Sequence, residues 1–144
     1  MSLITPQEVA ASEVLHFAMS MVRNAQYEIL ATMNLAEELA SPLPREYFFL
    51  LQEKIKHGVT LKRMAFGTEK KFEEFQRWQS WTHTRYQLRR AATTNYRRIL
   101  IIDQSYILFA VEKKDRKFYY SEIPDLIKET LHYFDRVWTV GYPK

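Results

Sequence analysis

Three side chains capable of chemistry lie close together in the chain: Tyr96, Arg98 and Asp103, spaced as i, i+2 and i+7. On a β-strand, residues i and i+2 point to the same face, so we expect Tyr96 and Arg98 to stand side by side, with Asp103 at the strand's far end. A guanidinium binds phosphate or carboxylate through two parallel hydrogen bonds, whereas a phenol with an ordinary pKa of about 10 is a weak nucleophile at neutral pH. The pattern therefore predicts anion binding through Arg98 more readily than catalysis by Tyr96.

The spacing resembles the His-x-Lys-x-x-x-x-Asp signature of the phospholipase D superfamily, which lies on such a strand with apolar residues between. Asp103 matches the signature, Arg98 stands in place of the lysine, and Tyr96 stands in place of the histidine. In active members two motifs meet across a twofold or pseudo-twofold axis, one histidine attacks phosphorus, and the lysines hold phosphate oxygens. The resemblance therefore implies Tyr96, Arg98 and Asp103 as the catalytic set if the chain is active, with an altered nucleophile.

Further departures from the signature favour a domain that has lost catalytic activity and kept anion binding. Ala110 and Val111 stand near the place of the family's usual Gly-Ser. None of the four histidines lies in the motif, and His83, next to a basic strand, is the only one that we consider as a replacement base. The alternative interpretation is that the three motif residues are structural: Tyr96 fills a cavity, Arg98 is an exposed strand residue and Asp103 belongs to the hairpin.

Basic residues are concentrated in one part of the chain. Between Lys54 and Arg98 there are 12 Lys or Arg against 3 Glu, although the net charge of the whole chain is only +4. Such a block attracts phosphates or nucleic acid when its charges share one face, with Tyr86 and Tyr96 available for base stacking. Spread over several elements, the same residues would form an ordinary solvated surface.

Composition places the chain among globular proteins. Its 144 residues are 47% hydrophobic and 15% aromatic, which excludes a disordered chain and allows a single domain with a substantial core. It has no cysteine, no apolar run of the roughly 18 residues that a membrane span needs, and no basic-then-apolar start typical of a signal peptide. We therefore expect a cytoplasmic protein that does not enter membranes. No Walker loop, dinucleotide fingerprint or metalloprotease motif occurs, so we expect no cofactor and no metal.

Hydrophobic periodicity predicts alternating helices and strands in the first half. Thr5, Pro6 and Glu8 have the order of a helix start, so a helix is expected to run to about Asn24. There follow a strand over 27–32, a partly looped segment over 33–43, a helix from Pro44 to a cap at Gly58, and a strand over 59–66. This order predicts a βαβ crossover, and the stretches 25–29 and 51–64 are typical of phospholipase D-like domains.

The second half is predicted to build a hairpin and a final helix. We expect a helix ending near Trp81, a strand over 84–90, a central hairpin of strands 99–102 and 106–111, a strand over 118–121, and a last helix capped by Ser121. Asp103, Gln104 and Ser105 suit the hairpin turn. The last helix has a clear apolar stripe, and its Phe134 and Trp138 again resemble the family.

These patterns predict an α/β fold: a mixed sheet of about six strands with helices on both faces, forming a single phospholipase D-like domain over residues 1–144. The first functional hypothesis is a non-catalytic binding or regulatory domain in which Asn95, Tyr96 and Arg98 recognise an anionic or polar ligand. Single altered domains of this type resemble the effector-binding parts of archaeal sugar-responsive transcriptional regulators.

Two alternatives stay open. The chain could be a homodimeric phosphodiesterase or nuclease that pairs two single motifs, or a nucleic-acid-binding module that uses the basic block 54–98. For both the regulatory domain and the phosphodiesterase we expect a homodimer or a larger parent chain as the partner.

Overall fold

The computed structural model describes residues 5–112 and 115–143. Its strands, in chain order, are β1 (Gln7–Val9), β2 (Glu28–Asn34), β3 (Thr60–Phe66), β4 (Tyr86–Arg90), β5 (Ile99–Ile102), β6 (Tyr106–Val111), β7 (Lys117–Ser121) and β8 (Tyr142–Pro143). Its helices are α1 (Val14–Arg23), α2 (Leu35–Ala40), α3 (Arg45–Lys56), α4 (Glu69–Trp78) and α5 (Pro124–Thr139).

Within the described residues, the eight strands form one mixed sheet in the order β1-β7-β6-β5-β2-β3-β4-β8. Strands β2, β3 and β4 are parallel, and α2 and α3 connect β2 to β3 as the predicted crossover requires. Strand β5 pairs antiparallel with β2 and, through the central hairpin, with β6. The predicted fold class is confirmed, and all six predicted strands are present.

Two further strands, β1 and β8, bring the number to eight and lie at the two edges of the sheet. They were missed because three and two residues are too few to show an alternating pattern. The helix predicted to begin at Thr5 is wrong in its first part: Gln7 to Val9 pair antiparallel with β7, and α1 begins only at Val14. Tertiary pairing has outweighed the local helix-start pattern.

Three other boundaries also differ from prediction. The partly looped segment 33–43 contains the end of β2 and all of α2, whose N-cap Asn34 accepts a hydrogen bond from the Glu37 backbone N–H at 3.1 Å. Ser121 is not the cap of α5, which begins at Pro124 after the N-cap Ile123, although the Ser121 hydroxyl accepts from the Ile123 N–H at 3.0 Å. Helix α4 ends at Trp78, short of Trp81. The charged sequence from Glu112 to Lys117 also predicts a turn before β7, and its residues 113 and 114 lie outside the described residues.

Helices cover both faces of the sheet, as the apolar periodicity predicts. On one face α1, α3 and α4 pack through side chains that include Val22, Leu51 and Phe75. On the other face α5 packs alone, through side chains that include Tyr133 and Phe134. The strands between these layers are therefore buried on both sides, which explains the continuous apolar run of β5.

Asp103 anchors the hairpin end of the sheet. It is only 8% exposed, and its carboxylate accepts hydrogen bonds from three consecutive backbone N–H groups at the start of β2: Gln26 at 2.8 Å, and Tyr27 and Glu28 at 2.9 Å each. The Tyr27 hydroxyl in turn donates to the Asp103 carbonyl oxygen at 2.7 Å. The left-handed backbone of Asp103, with φ 52°, turns the side chain toward β2, and aspartate tolerates this conformation better than most residues.

Replacing Asp103 should therefore destabilise the fold. Asp103→Ala leaves three N–H groups without their acceptor, and we expect the free energy of unfolding to fall by about 2–4 kcal/mol. Asp135→Ala, at an exposed position on α5, is the matched control and should change it by less than about 0.5 kcal/mol. Urea denaturation of both variants measures the difference, and equal midpoints would contradict the structural role of Asp103.

Candidate ligand site at the start of β5

The site forms where the carboxyl ends of β2 and β3 meet the segment that leads into β5. The Thr32 hydroxyl near the end of β2 donates to the Arg97 carbonyl at 2.6 Å and accepts from the Ile99 N–H at 2.9 Å. From the other face, the Tyr133 hydroxyl of α5 donates to the Asn95 carbonyl at 2.6 Å and accepts from the Arg97 N–H at 3.0 Å. Two hydroxyls thus fix a segment that is not itself a regular strand.

Tyr96 and Arg98 lie in this segment, just before β5 begins at Ile99. They are nevertheless neighbours, with the Arg98 guanidinium carbon 5.8 Å from the centre of the Tyr96 ring. The Tyr96 ring packs edge-on against Phe66 at the end of β3, with ring centres 5.1 Å apart. Asn95 is exposed beside them. The structure therefore brings Tyr96 and Arg98 together, and Asn95 precedes them in the same segment.

Arg98 belongs to an ion-pair cluster of four residues: Glu37, Arg98, Glu112 and Arg116. Arg98 contacts Glu37 through a terminal guanidinium nitrogen, and its Nε lies 3.8 Å from Glu112 Oε1. Arg116 donates to Glu37 at 2.6 Å and to Glu112 at 2.8 Å. The two carboxylates and two guanidiniums alternate around the cluster, so its formal charge is zero.

Electrostatics at the cluster favours the ionised forms. Burial pushes the pKa of Glu37 upward, but the hydrogen bond from Arg116 and the charge and hydrogen bond of Arg98 outweigh it and hold that pKa below its ordinary value. Hydrogen bonds to Glu112 and Glu37 raise the pKa of Arg116. Sequence reasoning missed Glu37, Glu112 and Arg116, because nothing in the sequence indicates that α2 and the end of β6 approach Arg98.

Among the residues that the structure describes, two buried polar atoms of the site have no hydrogen-bond partner. These are the Tyr96 hydroxyl oxygen and Arg98 Nε, which is too far from Glu112 for a hydrogen bond. Burial, opposed by the charge of Arg98, raises the pKa of Tyr96 to about 12. At pH 7 only roughly 1 in 10⁵ molecules would carry the phenolate, so Tyr96 is less reactive than an ordinary tyrosine.

The other predicted catalytic candidates lie elsewhere. Asp103 is at the opposite end of the sheet, where β5 ends and β2 begins. His83 precedes β4 at that same end, with its Nδ1 accepting from the Arg85 N–H at 3.0 Å, because the start of β4 pairs with the start of β3. His57, which ends α3, is also at that end, and all four histidines are exposed. Within 5–112 and 115–143, no cluster of three metal-ligating side chains occurs.

The basic block 54–98 is spread over several elements and contacts. Arg63 is 5% exposed and lies against the rings of Phe48, Phe75 and Trp81. Arg97 pairs with Glu129 at 2.9 Å. Other members contact aromatic rings or backbone carbonyls: Lys54, Lys62, Arg89 and Arg90. The block is therefore not one continuous face.

A cavity of about 530 Å³ lies next to the cluster, between α1, α2 and the sheet. Its wall is mostly apolar, and its polar members include Glu37, Glu38, Arg98 and Arg116. Sequence reasoning did not find it, since its walls come from seven separate helices and strands. Within the part of the chain that the structure describes, no helix is long and apolar enough to cross a membrane.

No family model and no curated protein matches this chain. Solved structures do match its fold. The archaeal chromatin protein TrmBL2, whose structure shows a novel mode of DNA binding, matches with a TM-score of 0.72 at 13% identity, over 99% of this chain and 54% of that protein. This chain thus spans about half the length of TrmBL2.

Two phospholipase D-like proteins match over almost their whole length. The phospholipase D family member Nuc from Salmonella typhimurium has a TM-score of 0.67 at 13% identity, over 97% of this chain and 96% of Nuc. NucT from Helicobacter pylori has a TM-score of 0.66 at 9% identity, over 97% and 98% of the two chains. The fold is therefore that of the phospholipase D-like domains.

The ion-pair cluster should make the stability of the fold depend on pH in the acidic range. Because the pKa of Glu37 is lowered from 4.5, its pairing stabilises the fold above that value and is lost as the pH falls through the lowered pKa. We expect Glu37→Gln to destabilise the protein at pH 7 and to cost much less at about pH 3. Urea unfolding at both pH values measures this. Glu74→Gln, exposed on α4, is the control, and a Glu37 effect independent of pH would contradict the interpretation.

Proposed function

We propose that this chain is a single phospholipase D-like domain that binds a ligand without catalysing its hydrolysis. The ligand site consists of Asn95, Tyr96 and Arg98, and the ligand is polar or anionic. One observation carries the proposal: among the described residues, the buried Tyr96 hydroxyl and the buried Arg98 Nε have no hydrogen-bond partner. Such atoms are costly in a folded protein, and a bound polar group would supply their missing partners.

The chemistry of the site supports binding over catalysis. Phosphodiester hydrolysis of the family type needs a nucleophile that is partly unprotonated near neutral pH and can leave again. Burial keeps the Tyr96 phenol protonated, and the histidines of the chain are exposed, three of them at the sheet end that carries the Asp103 turn: His57, His83 and His132. Arg98 retains the positive charge that the family's lysine provides, in a planar form suited to phosphate or carboxylate.

The ion-pair cluster explains how the site can be stable without a ligand and still accept one. Glu37 and Glu112 neutralise Arg98 when the site is empty of anion. Because both carboxylates are partly exposed, an incoming anion can displace one of them into solvent at modest cost. Binding would thereby release α2 or the end of β6 from Arg98, which gives a sensor domain a structural response.

We place this sensor in a homodimer or a longer regulatory chain. The domain matches about half of TrmBL2, an archaeal chromatin protein whose structure shows a mode of DNA binding, so a protein of that kind contains a further region beside such a domain. Ligand binding at Arg98 would then be read out through α2, which connects the site to the rest of the sheet.

Phosphate titration tests the proposed site. Inorganic phosphate should shift the NMR signals of residues around Arg98, and Arg98→Ala should weaken its affinity at least threefold. Tyr96→Phe should weaken it less, because only the hydroxyl is lost. Arg97→Ala is the matched control: it removes the neighbouring positive charge, which faces Glu129, and should leave the affinity within about twofold. Equal phosphate binding by Arg98→Ala and the parent would remove the proposal.

A second candidate function is nucleic-acid binding through part of the basic block. On α4 and before β4, the exposed cations Lys70, Arg77 and Arg85 form no ion pair with the acidic groups of the described chain. Such free cations are available to phosphates.

Fluorescence anisotropy with a labelled DNA duplex tests this candidate. If it holds, affinity should fall steeply between about 50 and 200 mM salt, and the double substitution Lys70→Ala with Arg77→Ala should reduce the slope. Binding that is unchanged by salt, or by both substitutions, would exclude the basic block as a nucleic-acid site.

A further inference from the structure

The cavity beside the ion-pair cluster has the size and wall of a small-molecule site. Its volume of about 530 Å³ lies within the range of roughly 300–1,000 Å³ typical of ligand pockets. Leu15 and Ala18 of α1 form one wall, and Leu108 and Phe118 of the sheet form another. An apolar group of moderate size would be desolvated there.

Among the described residues, one carboxylate oxygen of this cavity lacks a hydrogen-bond donor. Glu38 of α2 is 8% exposed, lines the cavity, and its Oε1 is buried with no hydrogen bond. The Leu43 backbone N–H donates a hydrogen bond to the carboxyl group of Glu38, but this bond does not involve Oε1. A buried carboxylate oxygen without a donor is costly, so Glu38 is the one group of this wall that requires a ligand donor.

The neighbouring cations do not pair with the Glu38 carboxylate. Arg98 and Arg116 also line the cavity, but their charges are matched by Glu37 and Glu112. Buried Arg63 attracts Glu38 electrostatically but forms no ion pair with it, since its N–H groups face Gln79, Tyr86 and Met33. Among the described residues around the cavity, the carboxylate of Glu38 is therefore the one without a paired cation.

We propose that this cavity binds a small primary amine with an apolar body, whose ammonium group donates a hydrogen bond to Glu38 Oε1. The inference goes beyond the proposed function, because it uses Glu38 and the apolar wall and not Arg98. An ammonium brings both the missing donor and the missing positive charge, and the apolar body would replace poorly bound water along Leu15, Leu108 and Phe118.

The ionisation of Glu38 supports this ligand class and adds a readout. Burial raises the pKa of Glu38 above its ordinary value, with the charge of Glu37 acting in the same direction. The charges of Arg63 and Arg98 and the Leu43 N–H oppose that shift. The ammonium group binds the ionised form of Glu38, so the affinity for the amine should rise as the pH rises through the raised pKa of Glu38. Below that pKa the carboxyl group must lose its proton to bind the amine, so binding there should release a proton.

Matched probes test the proposal on the unmodified chain. Phenethylamine, 2-phenylethanol and phenylacetate share an aromatic body and differ in the polar group, and isothermal titration calorimetry compares their affinities. Phenethylamine should bind at least tenfold more tightly than either of the others. Equal affinity for the alcohol, tighter binding of the carboxylate, or no binding of the amine at millimolar concentration would each overturn the proposal.

Variants then locate the effect. Glu38→Gln keeps the shape and should weaken phenethylamine at least tenfold and abolish its pH dependence, whereas Glu46→Gln, exposed on α3, should leave it within about twofold. Unchanged amine affinity in Glu38→Gln would contradict the assignment. If the unmodified chain binds the amine but not phosphate, only the proposed function is contradicted. If it binds phosphate but not the amine, only this inference is contradicted.

Discussion

The antiparallel pairing of β5 with β2 is the constraint on which the rest of the structure depends. At one end of the pair, Asp103 accepts three backbone N–H groups from the start of β2 and fixes the register. At the other end, Thr32 bonds to both sides of Arg98 in the chain. With both ends fixed, the segment before β5 has one position, over the carboxyl ends of the parallel strands β2 and β3. Open α/β sheets commonly bind ligands in such a place.

The same constraint gives Arg98 its neighbours. Helix α2 follows β2 without a loop, so Glu37 in its first turn lies beside the segment that β2 holds. The end of β6 returns next to the start of β5 and brings Glu112 to the other side. Two arginines and two glutamates then neutralise each other around Arg98. The proposed binding site thus combines a neutralised arginine, a protonated phenol and two buried polar atoms without a partner among the described residues, and these features support the proposed recognition over bond breaking.

Sequence reasoning reached the fold through its strongest local signals. The buried β5, the turn at Asp103 and the apolar stripe of α5 are each fixed by residues close together in the chain, and each was predicted correctly. The edge strand β1 was not, because its pairing with β7 joins residues more than a hundred positions apart, while Thr5 and Pro6 locally favour a helix. Strand geometry predicted that Tyr96 and Arg98 are neighbours, and they are neighbours in a segment that is not a regular strand. Their partners Glu37, Glu112 and Arg116, and the unpaired Glu38, come from separate elements whose meeting only the tertiary structure defines.

The measurement that tests the central claim most directly is hydrolysis of bis(p-nitrophenyl) phosphate by the purified chain, with Tyr96→Phe assayed beside it. A site that binds without catalysing predicts no p-nitrophenol release above buffer from either protein, at neutral pH and at about pH 9. Turnover by the parent chain that disappears in Tyr96→Phe would contradict the account and make Tyr96 a working nucleophile.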